Sequence, residues 1–271
     1  HMWVAIGLIA MALGRNAWYN RGAWNLYPNL YIVLIAESAL ARKSTSLKMG
    51  IDPFQQALPE IEGLGQKFTP EALVGVLAEM CRDENKRAEA YIHASEMSVL
   101  LGRSTLDDSL LKLLTDLWDC PGLHTYQTRG RGKEVMRDVC INMLAASTPD
   151  WLRNSIPQES LEGGFFSRLI LVQRPSTGEK NPFPEDTMNV KTQEAVENIK
   201  HDLQMINTQV HGDFEWDMDA KKAYANWYCH YNEPETAVSF MRGYYGRKGD
   251  FVLKLAMISS ANFSNEIGRA H

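Results

Sequence analysis

The sequence holds only four cysteines in 271 residues, Cys81, Cys120, Cys140 and Cys229, and no two of them stand as C-x-x-C. That spacing fits neither a disulfide framework nor a zinc site, so a reducing compartment, the cytoplasm, is expected. A membrane-length apolar run is missing too. The apolar stretch Met2–Leu13 is too short to span a bilayer, and Arg15 follows it closely. It lacks a basic leader, so it reads as a buried helix rather than a signal peptide. His1-Met2 has the look of a cloning remnant, and the chain is expected to be one module of a longer protein.

An excess of positive charge is absent as well: 28 Lys and Arg stand against 33 Asp and Glu, a formal net charge of −5. This excludes a protein that coats nucleic acid with its whole surface and leaves room for one local basic loop. Internal repeats and low-complexity tracts are lacking. What remains is an ordinary globular composition, 45% hydrophobic and 23% charged, which excludes disordered, collagen-like and coiled-coil chains. The length permits one large domain or a core with a smaller companion.

Strands alternate with helices along the first two thirds. Leu30–Ala36 (LYIVLIA) is a continuous apolar run, the pattern of a strand buried on both faces of a parallel sheet. A helix is predicted from Lys43 to about Gly50, and Thr69-Pro70-Glu71-Ala72 opens another with a Thr cap and Pro in the first turn. Ala90–Ala94 is a second strand and Leu106–Trp118 a leucine-striped helix. Leu123–Thr128 and Val135–Ala146 flank a turn and suggest a hairpin, and Phe166–Val172 is a further strand. The proline-rich Gln173–Pro184 marks a boundary, beyond which only helices are expected, over Val190–Ile206, Ala220–Tyr231 and Phe251–Asn262. The expected organisation is an N-terminal helix with a connector or short hairpin (1–28), an α/β core (29–175) and a C-terminal α-helical subdomain (185–271). The sheet is expected to be mainly parallel, flanked by helices, with one inserted β-hairpin.

Chemistry concentrates at Glu37–Thr45 (ESALARKST), between a buried strand and a helix, which is where a phosphate-binding loop belongs. Of the pattern G-x-x-x-x-G-K-S/T the terminal Lys43-Ser44-Thr45 is intact, while Glu37 and Arg42 replace the glycines. Ser38, Ala39 and Ala41 are small enough for close backbone approach to a phosphate. Arg42 and Lys43 would meet the phosphates of ATP, and Ser44 would ligate Mg2+. The alternative is a basic helix start, though paired cations at a helix N-terminus are unfavourable without an anion. Ser95-Glu96 closes the second core strand, where Glu96 would polarise an attacking water and Ser95 hold a metal-bound one, or Glu96 simply faces solvent. Ser147 and Thr148, ending the third strand, are candidate sensors of the γ-phosphate or plain caps before Pro149. Arg168, after Gly163-Gly164, suits a finger reaching a neighbouring subunit's nucleotide, or a surface salt bridge. Arg129, Arg131 and Lys133 at the hairpin tip suit phosphate-backbone contact with DNA, or plain solvation.

Taken in order, Tyr27-Pro28-Asn29-Leu30-Tyr31, Arg42-Lys43-Ser44-Thr45, Ser95-Glu96, Ala145-Ala146-Ser147-Thr148-Pro149, Gly163-Gly164-Phe165-Phe166-Ser167-Arg168 and Lys254-Leu255-Ala256-Met257 resemble a family of P-loop ATPases. That family is encoded by phages, plasmids and mobile elements and is often joined to primase domains. The resemblance implies a P-loop NTPase with a RecA-like or AAA+-like core and a replicative helicase or primase-helicase role. It further implies a homo-oligomeric ring, with nucleotide between subunits and the hairpin in the pore. The alternative is a slow ATP-binding regulatory or loader module acting through protein partners. Missing loop glycines and a Ser in place of the expected Asp at Ser95 separate this chain from well-studied helicases.

Overall fold

The computed structural model describes residues 1–37, 42–101, 109–128, 132–155, 164–173, 183, 189–232, 234 and 239–263. The chain begins with α1 (Met2–Leu13), β1 (Ala17–Asn20), β2 (Asn25–Leu26), β3 (Tyr31–Ile35) and α2 (Lys43–Ala57). It continues with β4 (Glu62–Leu64), α3 (Pro70–Met80), β5 (Glu89–Ala94), α4 (Met97–Leu101) and α5 (Ser109–Trp118). Then come β6 (Leu123–Thr128), β7 (Gly132–Arg137), β8 (Cys140–Ser147), α6 (Pro149–Ser155) and, after a 3-10 turn over Phe166–Arg168, β9 (Leu169–Gln173). The last elements are α7 (Val190–Gln209), β10 (Gly212–Asp213), α8 (Met218–His230) and α9 (Ser239–Phe263).

The apolar run expected to be a doubly buried strand is β3, and it lies inside a five-stranded sheet of order β4-β5-β8-β3-β9. All four pairings are parallel. Parallel neighbours need crossovers, which cover both faces of the sheet. Ile32 and Leu144 are register partners on one face. A Cβ on Gly7 of α1 would come 2.6 Å from Leu144, so α1 lies directly against that face. On the same side Phe54 of α2 meets Tyr91 of β5 edge-on, with centroids 5.4 Å apart. The opposite face carries Tyr31, whose hydroxyl donates to the Leu114 carbonyl of α5 over 3.0 Å. The result is a mixed α/β fold with helices on both sides of a parallel sheet.

Several elements differ from the expectation. Helix α2 continues past Gly50 to Ala57. Gly50 serves a crossing rather than a stop: a Cβ there would be 2.5 Å from Val4 of α1. The stretch Val135–Ala146 divides, because Asp138 takes a left-handed conformation (φ 50°) between β7 and β8. The hairpin β6–β7 is therefore a separate two-stranded sheet, and only β8 joins the core. The connector after α1 does form a short antiparallel hairpin, β1 with β2, and β10 adds to β1 in parallel, Ala17 opposite Gly212.

The C-terminal helices do not stand apart. Leu203, Ile206, Phe251, Leu253 and Met257 belong to the same buried cluster as the residues of β3, β5 and β8. Helix α7 packs on α1 and α2, and α9 packs on α1 and the 3-10 turn. The N-terminal helix, the sheet and the C-terminal helices thus share one core. Among the described residues, no helix is long and apolar enough to cross a membrane.

Candidate functional site

In an open parallel sheet the ligand crevice lies at the carboxyl ends of the strands, where two adjacent strands send their connections opposite ways. Here those strands are β3 and β8. The chain leaves β3 for the edge strand β4 on one side and leaves β8 for β9 on the other. Lys43-Ser44-Thr45 and Ser147-Thr148 stand at this switch point.

Lys43 shares a buried helical stripe with Leu47, Ile51, Phe54 and Ala57 of α2. The helical phase therefore carries the lysine stem inward, leaving it 8% exposed. Its ammonium donates to the carbonyl of Ala36 and, over 3.3 Å, to that of Glu37. Arg42 precedes the helix in a left-handed conformation (φ 44°, ψ 40°) and gives its first turn no side-chain cap. That turn holds no acidic residue either. An uncapped helix start with a buried ammonium beside it is the electrostatic setting of an anion site. Ser44 and Thr45 are exposed next to it. Ser38, Ala39 and Ala41 lie outside the described residues.

Across the switch point, the Ala36 amide donates 3.3 Å to the Ser147 carbonyl, tying the two strand ends together. Ser147 is fully buried, and its hydroxyl donates 3.4 Å to the Thr148 carbonyl. Thr148 caps α6, its hydroxyl oxygen accepting from the Trp151 amide over 3.3 Å. Of the two candidate sensors, Ser147 is the less engaged.

Glu96 is half-buried between β5 and α4. The register sets Ala94 opposite Ala145 at the carboxyl ends of β5 and β8, and Glu96 follows two residues after Ala94. Ser95 turns elsewhere: its hydroxyl donates 2.8 Å to Gln66, which follows β4 on the far side of β5 from β8. His93 of β5 is half-buried with Nε2 unpartnered among the described residues, and burial holds its pKa below the usual imidazole value.

Arg168, read as a finger for a neighbouring subunit or a salt-bridged side chain, is engaged within its own chain. It is 7% exposed and held inside its own chain. Its guanidinium donates 3.2 Å to Asp119 and 3.1 Å to the Gly164 carbonyl, and lies over the Trp118 ring at 5.4 Å. It immediately precedes β9, at the amino edge of the sheet, opposite Lys43. A finger extended to a neighbour needs a free guanidinium, and here burial, ion pair and ring occupy it. Arg247 of α9 donates 2.9 Å to the Ser167 hydroxyl of the same cluster.

At that amino edge two of the resembling segments meet. Lys254 is 1% exposed, and its ammonium donates to the Asn29 carbonyl (3.0 Å) and side-chain oxygen (2.6 Å) while lying 3.7 Å from the Trp118 ring centroid. Burial lowers its pKa to about 8. Asn29 in turn donates 3.0 Å to the Trp118 carbonyl. Asn29 and Lys254 are thus structural partners across 225 residues, and spacing alone could not pair them. Of the nucleic-acid candidates, Lys133 is exposed on β7 opposite Gln127, while Arg129 and Arg131 lie outside the described residues.

Comparison with protein-family models and with curated proteins gives no match to this chain.

Proposed function

We propose that this chain binds ATP with Mg2+ at the carboxyl edge of its sheet and hydrolyses it. The observation that carries the reading is Lys43: a buried ammonium at the uncapped start of α2, at the switch point between β3 and β8, held among the described residues by two carbonyls of its own loop. Those carbonyls are weak partners that a polyphosphate would displace. Ser44, exposed one residue on, would hold the Mg2+, and bound MgATP supplies the phosphoanhydride to be cleaved. Glu96 orients the attacking water and accepts its proton, and the Ser147 hydroxyl would leave the Thr148 carbonyl to donate to the γ-phosphate. The family resemblance extends this to an oligomeric DNA motor of the primase-associated helicase type, gripping DNA through the β6–β7 hairpin. The internal pairing of Arg168 favours a second reading, a slow ATP-binding module that works through protein partners.

Two substitutions test the site. Lys43→Ala is expected to weaken binding of a fluorescent ATP analogue about tenfold or more, as loss of a charge-assisted contact does. Glu96→Gln is expected to keep that binding and lower turnover about a hundredfold. Unchanged binding by a folded Lys43→Ala protein overturns the nucleotide site. Strand displacement by the wild-type oligomer separates the motor from the slow module.

A further inference from the structure

Cys120 and Cys140 are separated by the whole β6–β7 hairpin, yet they face each other at its base. The hairpin register sets Leu123 opposite Arg137. It carries on past the end of the strands: the Asp138 amide donates 2.8 Å to the Gly122 carbonyl, and the Val139 amide 3.0 Å to the Pro121 carbonyl. One further step places Cys120 opposite Cys140. The two side chains pack together with Tyr27 in a small buried cluster set apart from the main core. Cys120 takes a left-handed backbone conformation (φ 49°), which turns the chain from α5 into this position.

Their surroundings differ. Cys120 lines a pocket of about 510 Å³ with Arg15, Trp118, Asp119 and Lys254. Arg15 donates 2.7 Å to the Cys120 carbonyl, and the buried ammonium of Lys254 lines the same cavity. Cys140, the first residue of β8, is 1% exposed and has no part in the pocket wall. A cysteine that lines a pocket with two fixed cations and is paired with a second thiol has the arrangement of a reactive cysteine with its resolving partner. We propose that Cys120 and Cys140 form a peroxide-oxidisable dithiol, Cys120 taking the oxidising equivalent and Cys140 resolving it into a disulfide across the hairpin base.

The acidities agree with that division. Burial pushes the Cys120 thiol up, but the hydrogen bond to Cys140 and the charges of Lys254 and Arg15 outweigh it and leave the pKa lowered. The same hydrogen bond, together with burial, raises Cys140 well above the usual thiol value. The chemistry balances in two steps. The Cys120 thiolate sulfur attacks one oxygen of hydrogen peroxide, the O–O bond breaks, and the departing hydroxide gains a proton to become water. Cys120 is then a sulfenic acid. The Cys140 sulfur attacks it, the S–S bond forms as the S–O bond breaks, and the thiol proton leaves with hydroxide as a second water. Two thiols have given up two electrons and one peroxide has become two waters.

The test uses the full chain carrying Cys229→Ser, which removes the exposed competing thiol. After brief exposure to equimolar hydrogen peroxide and blocking of free thiols, peptide mapping is expected to find Cys120 joined to Cys140, the pair lighter by two hydrogens. In Cys140→Ser the oxidised sulfur is expected to persist on Cys120 and take a cyclic-diketone label, and in Cys120→Ser Cys140 is expected to stay reduced. Mapping needs no change at either thiol, so it decides even where those variants fold poorly. A chain in which peroxide oxidises Cys229 of the wild type while Cys120 and Cys140 stay thiols overturns the proposal. So does diketone labelling of Cys140 in place of Cys120.

Discussion

A lysine ammonium moved from water to the side of Trp118 gives up hydration that two Asn29 oxygens and a ring face only partly replace. Burial accordingly lowers the Lys254 pKa from 10.5 to about 8. The sign of the consequence follows from proton counts. Above about pH 8 the folded chain releases this proton while the unfolded chain keeps it up to about 10.5, so over that window the term makes stability rise with pH. Below the window the cost of burying the charge is fully present. Compared with Lys254→Met, the wild type is therefore expected to gain up to about 3 kcal/mol between neutral and strongly alkaline solution. Urea melts of both proteins across that range check it; parallel pH profiles would show that the lysine does not titrate this way. The sequence marks Lys43 as a candidate, because Lys-Ser-Thr follows an apolar strand and opens a helix. It leaves Lys254 and Arg168 illegible, since charged residues are seldom buried and their partners lie far along the chain. The opposed thiols were hidden likewise: twenty residues of separation read as distance until the hairpin folds it away.

Helix α1 ends where one residue type is required. Gly14 takes a left-handed conformation (φ 47°), and a Cβ there would collide with the Glu89 carboxylate. That carboxylate accepts the Arg15 amide over 2.5 Å, which fixes the end of α1 to the start of β5. Gly14→Ala is expected to lower stability by about 2 kcal/mol, from backbone strain together with displacement of Glu89. Thermal or urea unfolding measures this, and a loss no larger than that of an exposed helix substitution would contradict it. Elements with strong local signals were readable. The cap and first turn of α3 form as written, Thr69 accepting from the Ala72 amide over 3.3 Å. Elements whose limits come from packing were not. Strand β4 is three residues long with no pattern of its own, Gly50 serves a crossing, and the break between β7 and β8 rests on one left-handed Asp138.

For the molecule as a whole, an acidic average leaves any contact with DNA to local cations. If the hairpin makes that contact, replacing Arg129, Arg131 and Lys133 together by Ala is expected to weaken DNA binding and to reduce the slope of log affinity against log salt by up to about three. Titrations at several salt concentrations measure the slope, and an unchanged slope would assign DNA binding elsewhere. The alternation of strands and helices made a helix-flanked sheet legible. The sharing of one core by both ends of the chain was not, because nothing local marks Leu203 or Met257 as companions of β8. The pairing of Ala17 with Gly212 has a consequence for how the protein is made. A ribosome releases β1 long before β10 exists, so the nascent chain carries an open strand edge through most of its synthesis. Asn29 likewise waits for Lys254, 225 residues behind it. Contacts so remote in sequence close late. Arrested chains ending before Gly212 are expected to stay protease-sensitive at the N-terminal hairpin, with protection arriving only once α9 has emerged. On this account the segment from β1 to Asn29 is expected to be among the last to settle, once β10 and α9 have closed on it.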